Sequence, residues 1–247
     1  MHNMLRLYGH YASQPTRSVA WLLKLKSAPF EFTTINPTAG ETRTTEFRSK
    51  FPLGLIPALE DTDANPPFML SEASSILIYL CEKYNWNDYY PVNTSSAVDL
   101  QKRAKTHEYF SHHNESSRMM TRKVIFPTMK WMFADNSDTK KAAAPKHLSH
   151  NPNDIQQVKS IIRDVAKRFE HKFLKDGNYI VGDTPSIADL LAYPEIAQIP
   201  MIMGIQYTEW EELERLRNWL ERMEQLDFHD DVHKTVLKIG KMYKSKL

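Results

Sequence analysis

Ser13-Gln14-Pro15 follows a break in the apolar pattern at residues 9–12. Proline is tolerated in the first turn of a helix, where its missing N–H costs nothing. Ser13 is therefore an N-cap candidate. It also sets a hydroxyl at the positive end of a helix, where an anion is stabilised. A second run, Ile56-Pro57-Ala58-Leu59, reads as a strand entered through a proline and stopping at Glu60 and Asp61. Proline cannot donate to a ladder, so it belongs at a strand's first residue or on an edge, and an X-Pro bond can be cis. A third run reads as a short strand over 68–70 leading into a helix. Ser71 is its N-cap candidate, with Glu72 and Ser74 near the helix start. Ile76, Leu77, Leu80 and Tyr84 follow at helical spacing. Together the second and third runs pair an exposed strand entrance with an anion-friendly helix start.

Other reactive residue types point away from chemistry. The single cysteine, Cys81, lies near Ile78 and Leu80 and reads as a buried, inert thiol. One cysteine excludes an intramolecular disulfide and a cysteine-based metal cluster. His107, His112 and His113 are close in sequence, but neighbours on a helix face apart and no carboxylate or cysteine completes a set, so no metal site is expected. Met119, Met120, Met129 and Met132 suit a helix interface or an adaptable apolar pocket.

The elements that must position these residues change character along the chain. Residues 5–8 form a strand pattern, and a helix carrying Val19, Leu22 and Leu23 ends near Pro29. A strand over 30–35, a loop at 36–40 and a polar helical stretch ending near Lys50 follow. The order over residues 1–85 is strand, helix, strand, helix, strand, strand, helix. Residues 86–96 read as a linker. From 97 onward the strand patterns vanish. A long helix is expected over 97–118, then an apolar segment over 119–133 with Pro127 as a kink or break. A charged loop over 134–152 contains Ala142 to Ala144. Residues 154–174 are amphipathic. Ser186-Ile187-Ala188-Asp189 is a capping box ahead of an apolar helix. Thr208-Glu209-Trp210-Glu211 is a second, opening a helix with Leu213, Leu216, Leu220 and Met223 on one face. A last helix carries Val232, Val236, Ile239 and Tyr243. The fold class is α/β plus all-α: a small α/β domain followed by an all-helical domain over 97–247.

Composition agrees. The 247 residues are 41% hydrophobic and 25% charged, ordinary for a globular protein able to bury a core. A net charge of +2 indicates no dedicated nucleic-acid surface. No apolar run is long enough to span a membrane, and the N-terminus lacks a signal-peptide core. The chain ends in Ser245-Lys246-Leu247, the peroxisomal address read by an import receptor, so delivery to the peroxisome is expected; a cytoplasmic protein with a Lys-rich, solvated tail is the alternative.

Five segments, in order, resemble the glutathione transferase family, nearest its theta class. Ser13-Gln14-Pro15-Thr16-Arg17 is similar to its Ser-Gln-Pro-x-Arg motif, and Leu55-Ile56-Pro57-Ala58-Leu59 to its cis-proline strand. Ser71-Glu72-Ala73-Ser74-Ser75-Ile76 resembles its helix start. Lys123-Val124-Ile125-Phe126-Pro127 and 186–190 resemble helical-domain segments. The resemblance implies a thioredoxin-like N-terminal domain, an all-helical C-terminal domain and a homodimer. It implies glutathione as co-substrate, no other cofactor, and a small hydrophobic electrophile or hydroperoxide as the second substrate. By the same resemblance Ser13 is the catalytic donor to the thiolate, with Tyr8 and Tyr11 as rival donors. Gln14, Thr42, Leu55, Ile56, Pro57, Glu72, Ala73 and Arg118 are the implied glutathione-binding positions. Ile56 would offer backbone groups to the cysteinyl part, and Glu72 its carboxylate to the γ-glutamyl amine. Three positions depart from the family's pattern. Ala73 replaces a serine, Thr42 a histidine and Leu55 a lysine. Arg43 and Lys50 are the nearest replacements for the lost positive charge. A non-catalytic, binding member of the same fold is the alternative reading.

Overall fold

The computed structural model describes residues 4–93, 96–132, 146 and 151–245. Four strands form one sheet: β1 (Leu5–Gly9), β2 (Phe30–Thr34), β3 (Ala58–Asp61) and β4 (Phe68–Ser71). Their order is β2-β1-β3-β4; β1 and β2 are parallel, and the other two pairs antiparallel. A parallel pair needs a crossover, and α1 (Gln14–Leu25) supplies it. Helices α2 (Thr45–Lys50) and α3 (Ala73–Tyr84) complete the expected order. This is the thioredoxin-like arrangement.

Alternation along the strands gives the sheet two apolar faces. Leu5, Leu7 and Leu59 join Val19 and Leu22 of α1 and Ile76, Leu77 and Leu80 of α3 in the main core. Tyr8 and Ala58 point the other way, onto Phe47 of α2 and Phe51. β3 stops at Glu60 and Asp61, as expected. Each carboxylate is paired. Glu60 accepts from the Tyr8 hydroxyl at 2.6 Å and from Lys50 at 3.1 Å. Asp61 accepts from Tyr79 and Lys83.

The rest is helical: α4 (Ala97–Glu115), α5 (Ser117–Met120), α6 (Phe126–Met132), α7 (Pro152–Arg168), α8 (Ile187–Ile196), α9 (Glu214–Glu224) and α10 (His229–Lys244). The helix expected over 97–118 breaks at Ser116, whose φ −120 and ψ −86 leave the helical region. Arg118 therefore belongs to α5. A π-turn at Thr121–Ile125 follows, and Pro127 lies in the first turn of α6, where no N–H is required. The expected loop over 134–152 lies outside the described residues, apart from Lys146, Asn151 and Pro152.

Ser186 caps α8 as expected. Its hydroxyl accepts from the Ala188 N–H at 3.2 Å, and Asp189 accepts from the Ser186 N–H at 2.9 Å. Asp189 also takes the Ile180 N–H and the Trp219 indole, each at 2.9 Å. The second capping box falls two residues early. It joins Gln206 and Glu209 around a 3₁₀ turn, and α9 starts only at Glu214. Every residue of α8 is buried, and α8 packs against α1, α3 and α4. The helical domain thus seats its most apolar helix on the sheet domain.

Candidate active site

Strand register builds the site. Tyr8 lies opposite Ala58, and Ala58 opposite Ser71. The end of β1, the start of β3 and the end of β4 therefore meet at one end of the sheet. From β1 the chain turns through His10 to Ala12 into Ser13 and α1. The Ile56–Pro57 bond is cis and immediately precedes β3. Glu72 and Ala73 immediately follow β4. Ser13, Ile56, Pro57, Glu72 and Ala73, far apart in sequence, come to this end together with the N-termini of α1 and α3. Gly9 allows the close turn. A Cβ on it would lie 2.3 Å from Cγ2 of Thr16, in the first turn of α1.

Ser13 is half-buried at the N-cap of α1, and its side chain caps nothing. Its backbone does the structural work, donating to the His10 carbonyl at 2.8 Å and accepting from the Arg17 N–H at 3.2 Å. The hydroxyl is left to donate elsewhere. Of the rival tyrosines, the Tyr8 hydroxyl is committed and the Tyr11 ring is packed. Tyr8 donates to Glu60, and burial together with that carboxylate raises its pKa. Tyr11 stacks on Phe32 with centroids 4.6 Å apart, and burial raises its pKa as well.

Neither backbone polar group of Ile56 pairs with backbone among the described residues. An open strand entrance of this kind can take an extended peptide. Ser71 ends β4 and does not cap α3. The N-cap is Glu72, at φ 72 and ψ 117. Positive φ is uncommon for a residue with a Cβ, and such strain is of order 1–3 kcal/mol. The Glu72 carboxylate is exposed and caps nothing. Ala73 is buried at the first helical position.

Thr42 is buried in a 3₁₀ turn at Glu41–Arg43, and Leu55 is exposed. Between them runs Gly54, at φ +61. A Cβ there would sit 3.0 Å from the Thr42 carbonyl and 3.2 Å from Arg48 Nε. Arg48 thus lies across this loop. Arg43 and Arg48 are exposed and form no ion pair among the described residues. Lys50, by contrast, is held by Glu60 and by the Tyr8 hydroxyl at 3.3 Å.

On the helical side, Arg118 Nη1 donates to Gln14 Oε1 at 2.9 Å and to Glu195 Oε1 at 3.1 Å. Its guanidinium also lies 5.2 Å from the Phe126 ring centroid. Gln14 is buried, and its amide nitrogen donates to Gln198. The Gln14 side chain therefore faces the helical domain. Arg17 is fully buried. It donates to the carbonyls of Tyr11, Ala12 and Pro194, each at 3.1 Å, clamping the turn before Ser13 onto α8.

Residues 7–88 match the family described as "Glutathione S-transferase, N-terminal domain", and residues 120–227 match "Glutathione S-transferase, C-terminal domain". The chain is 30% identical over 240 residues to glutathione S-transferase theta-2 of Mus musculus, covering 95% of this chain and 88% of that protein. It belongs to the glutathione S-transferase family. Glutathione S-transferase theta-1 of Homo sapiens is 29% identical over 243 residues, covering 95% of this chain and 89% of that one. The crystal structure of human glutathione transferase theta-2 in complex with glutathione and an unknown ligand superposes with a TM-score of 0.77. It is 27% identical and covers 98% of this chain and 91% of that one. The theta-like resemblance seen in the motifs thus extends along almost the whole chain.

Four residues near the site carry no sequence signal of their own. Arg48 looks like any polar residue of α2 until the Gly54 loop folds beneath it. Thr121, Glu195 and Gln198 gather around Arg118 within the helical domain, and interdomain packing brings Gln14 to them. The histidines serve structure: the Tyr90 hydroxyl pairs with His107 at 2.9 Å and that of Tyr109 with His113 at 3.1 Å. Cys81 is fully buried, and burial pushes its thiol up to about 12. Met120 is in the core and Met129 is partly buried against it.

Proposed function

We propose that this chain is a serine-type glutathione S-transferase that conjugates glutathione to small hydrophobic electrophiles. The observation that carries this is the uncapped Ser13 hydroxyl at the N-terminus of α1, at the sheet end that also holds the open Ile56 backbone and the strained Glu72. Glutathione lies with its cysteinyl backbone against Ile56 and Pro57. Its γ-glutamyl amine meets Glu72, and its carboxylate meets the N–H groups at the start of α3, including that of Ala73. Arg48, beside Thr42 and Leu55, takes the role of the missing base toward the glycyl carboxylate. Ser13 donates a charge-assisted hydrogen bond to the sulfur, and the helix dipole adds to it, so the thiol releases its proton to water. The thiolate attacks the electrophilic carbon, a C–S bond forms, and the leaving group departs with the bonding pair. The same thiolate suits organic hydroperoxides. It attacks the terminal oxygen, the O–O bond breaks with its electron pair going to the departing alkoxide, and the alkoxide takes a proton from water to leave as the alcohol. A second glutathione then displaces water from the sulfenic acid to give the disulfide.

Ser13→Ala tests this, with turnover measured on several electrophiles and on a hydroperoxide. Retained conjugation would refute the role of Ser13. Ala73, Thr42 and the exposed Leu55 favour a second reading, a binding protein of the same fold. Calorimetry separates the two, since absence of glutathione binding at millimolar concentration supports the second. Assembly as a homodimer is supported by the exposed edge strand β4 with Phe68, and by exposed Val98 and Leu100 on α4. Peroxisomal import rests on Ser245-Lys246-Leu247, of which Lys246 and Leu247 lie outside the described residues. Deletion of Leu247 should disperse a punctate tagged protein.

A further inference from the structure

A closed polar ring lies beneath the first turn of α1, and the conjugation chemistry above does not use it. Glu195 of α8 is 1% exposed. Its Oε1 accepts from Arg118 at 3.1 Å and its Oε2 from the Thr121 hydroxyl. The Gln198 amide donates to the Thr121 oxygen and, at 3.1 Å, to the Glu195 carbonyl. Gln14 closes the ring, donating to Gln198 and accepting from Arg118 at 2.9 Å. The other ionisable groups facing Glu195 are Arg17, which raises no direct bond to it, and His113, whose Nε2 is 3.9 Å away. Burial pushes His113 down to about 3, so it stays neutral.

A buried carboxylate is tolerated only when paired and fully hydrogen-bonded. Arg118 is the partner that makes a direct charged bond here. One nitrogen, Nη1, spans both Glu195 and Gln14. Nε and Nη2 of Arg118 make no hydrogen bond among the described residues. Arg118 is thereby tied through Nη1 to Glu195 and to Gln14, the residue that follows Ser13.

We propose that Glu195 is a positioning residue: it holds the Arg118 guanidinium against Gln14, the residue after Ser13, to favour the bound thiolate. This rests on the glutathione transferase reading. The test titrates the ultraviolet thiolate absorbance of bound glutathione in the wild type, Glu195→Gln, Arg118→Gln and the double variant. Glu195→Gln alone is expected to raise the apparent pKa of the bound thiol by roughly one unit, the effect of withdrawing a nearby cation. In the Arg118→Gln background the same substitution should leave that pKa unchanged or lower it, because removing only a negative charge favours the thiolate. Equal upward shifts in both backgrounds would overturn the proposal. If Glu195→Gln does not fold, Glu195→Asp replaces it. Aspartate keeps the buried charge but withdraws it from Arg118, so its upward shift should also vanish without Arg118. A wild-type thiolate band with equal shifts overturns this inference alone. No band in the wild type overturns the transferase reading and this inference with it.

Discussion

Arg17→Met tests how the turn ahead of Ser13 is held. Arg17 is fully buried, and its three bonds of 3.1 Å reach the carbonyls of Tyr11, Ala12 and Pro194. The first two belong to the turn that delivers Ser13, and the third lies inside α8. Hydrogen bonds to a charged group contribute about 1.5–3 kcal/mol each. Against them stands the dehydration of the cation. Burial draws the Arg17 pKa from its ordinary value down to about 10, a cost of about 3 kcal/mol. Methionine keeps most of the apolar stem but leaves three carbonyls unsatisfied. The balance is a loss of about 3 kcal/mol, at the low end of the about 3–5 kcal/mol found when a buried charged cluster is broken. For a chain of this length each kcal/mol moves the melting temperature by about 2–4 °C, so a fall of about 6–12 °C is expected. Scans at one protein concentration remove any contribution from association. Turnover should fall as well, because Ser13 is no longer pinned to α8. Arg17→Lys keeps the charge but not the fork, and should lie between the two. A melting temperature within about 2 °C of the wild type, with activity intact, would refute the reasoning.

Three further outcomes are expected. Burial alone would raise the Glu60 carboxyl, but bonds from Tyr8 and Lys50 outweigh it and hold its pKa below 4.5. Its pairing therefore stabilises the fold above that value and is lost as pH falls through the lower folded value. Urea midpoints taken between about pH 6 and pH 3 should drop less steeply in Glu60→Gln than in the wild type. A Cβ at position 240 would lie 1.9 Å from the Met201 carbonyl oxygen. Gly240→Ala should thus force α10 off the turn it packs on and cost about 1–3 kcal/mol in chemical denaturation. Ser186→Ala removes the hydroxyl that caps α8 and should cost about 1 kcal/mol, read from the same curves.

Much of the fold is legible in local pattern. The Ser-Gln-Pro start of α1, the proline at the head of β3 and the capping box of α8 are short-range signals, because turns, caps and periodic faces depend on neighbours within a few residues. Where local signals compete, the reading slips. Ser71 has the chemistry of an N-cap, yet pairing with Ala58 holds it in β4 and moves the cap to Glu72, despite the positive φ. Thr208 and Glu211 look like a capping box, but Gln206 and Glu209 form one first. Glu60 and Asp61 do end β3, but no local pattern shows the cations and tyrosines that pair with their carboxylates.

By itself, the sequence determined the order of elements, the two-part architecture and the local turns and caps that come together at one end of the sheet. Packing alone decided which of their side chains are free to act. Lys50 and Tyr8 are spent on Glu60, Gln14 is turned inward, and the Ser13 hydroxyl is left open. Packing also assembled Arg118, Glu195, Thr121, Gln198 and Gln14 into one ring. No local periodicity encodes that ring: Arg118, Thr121, Glu195 and Gln198 come from α5, the π-turn, α8 and the residues just after it, and Gln14 of α1 joins them only when the helical domain seats on the sheet domain.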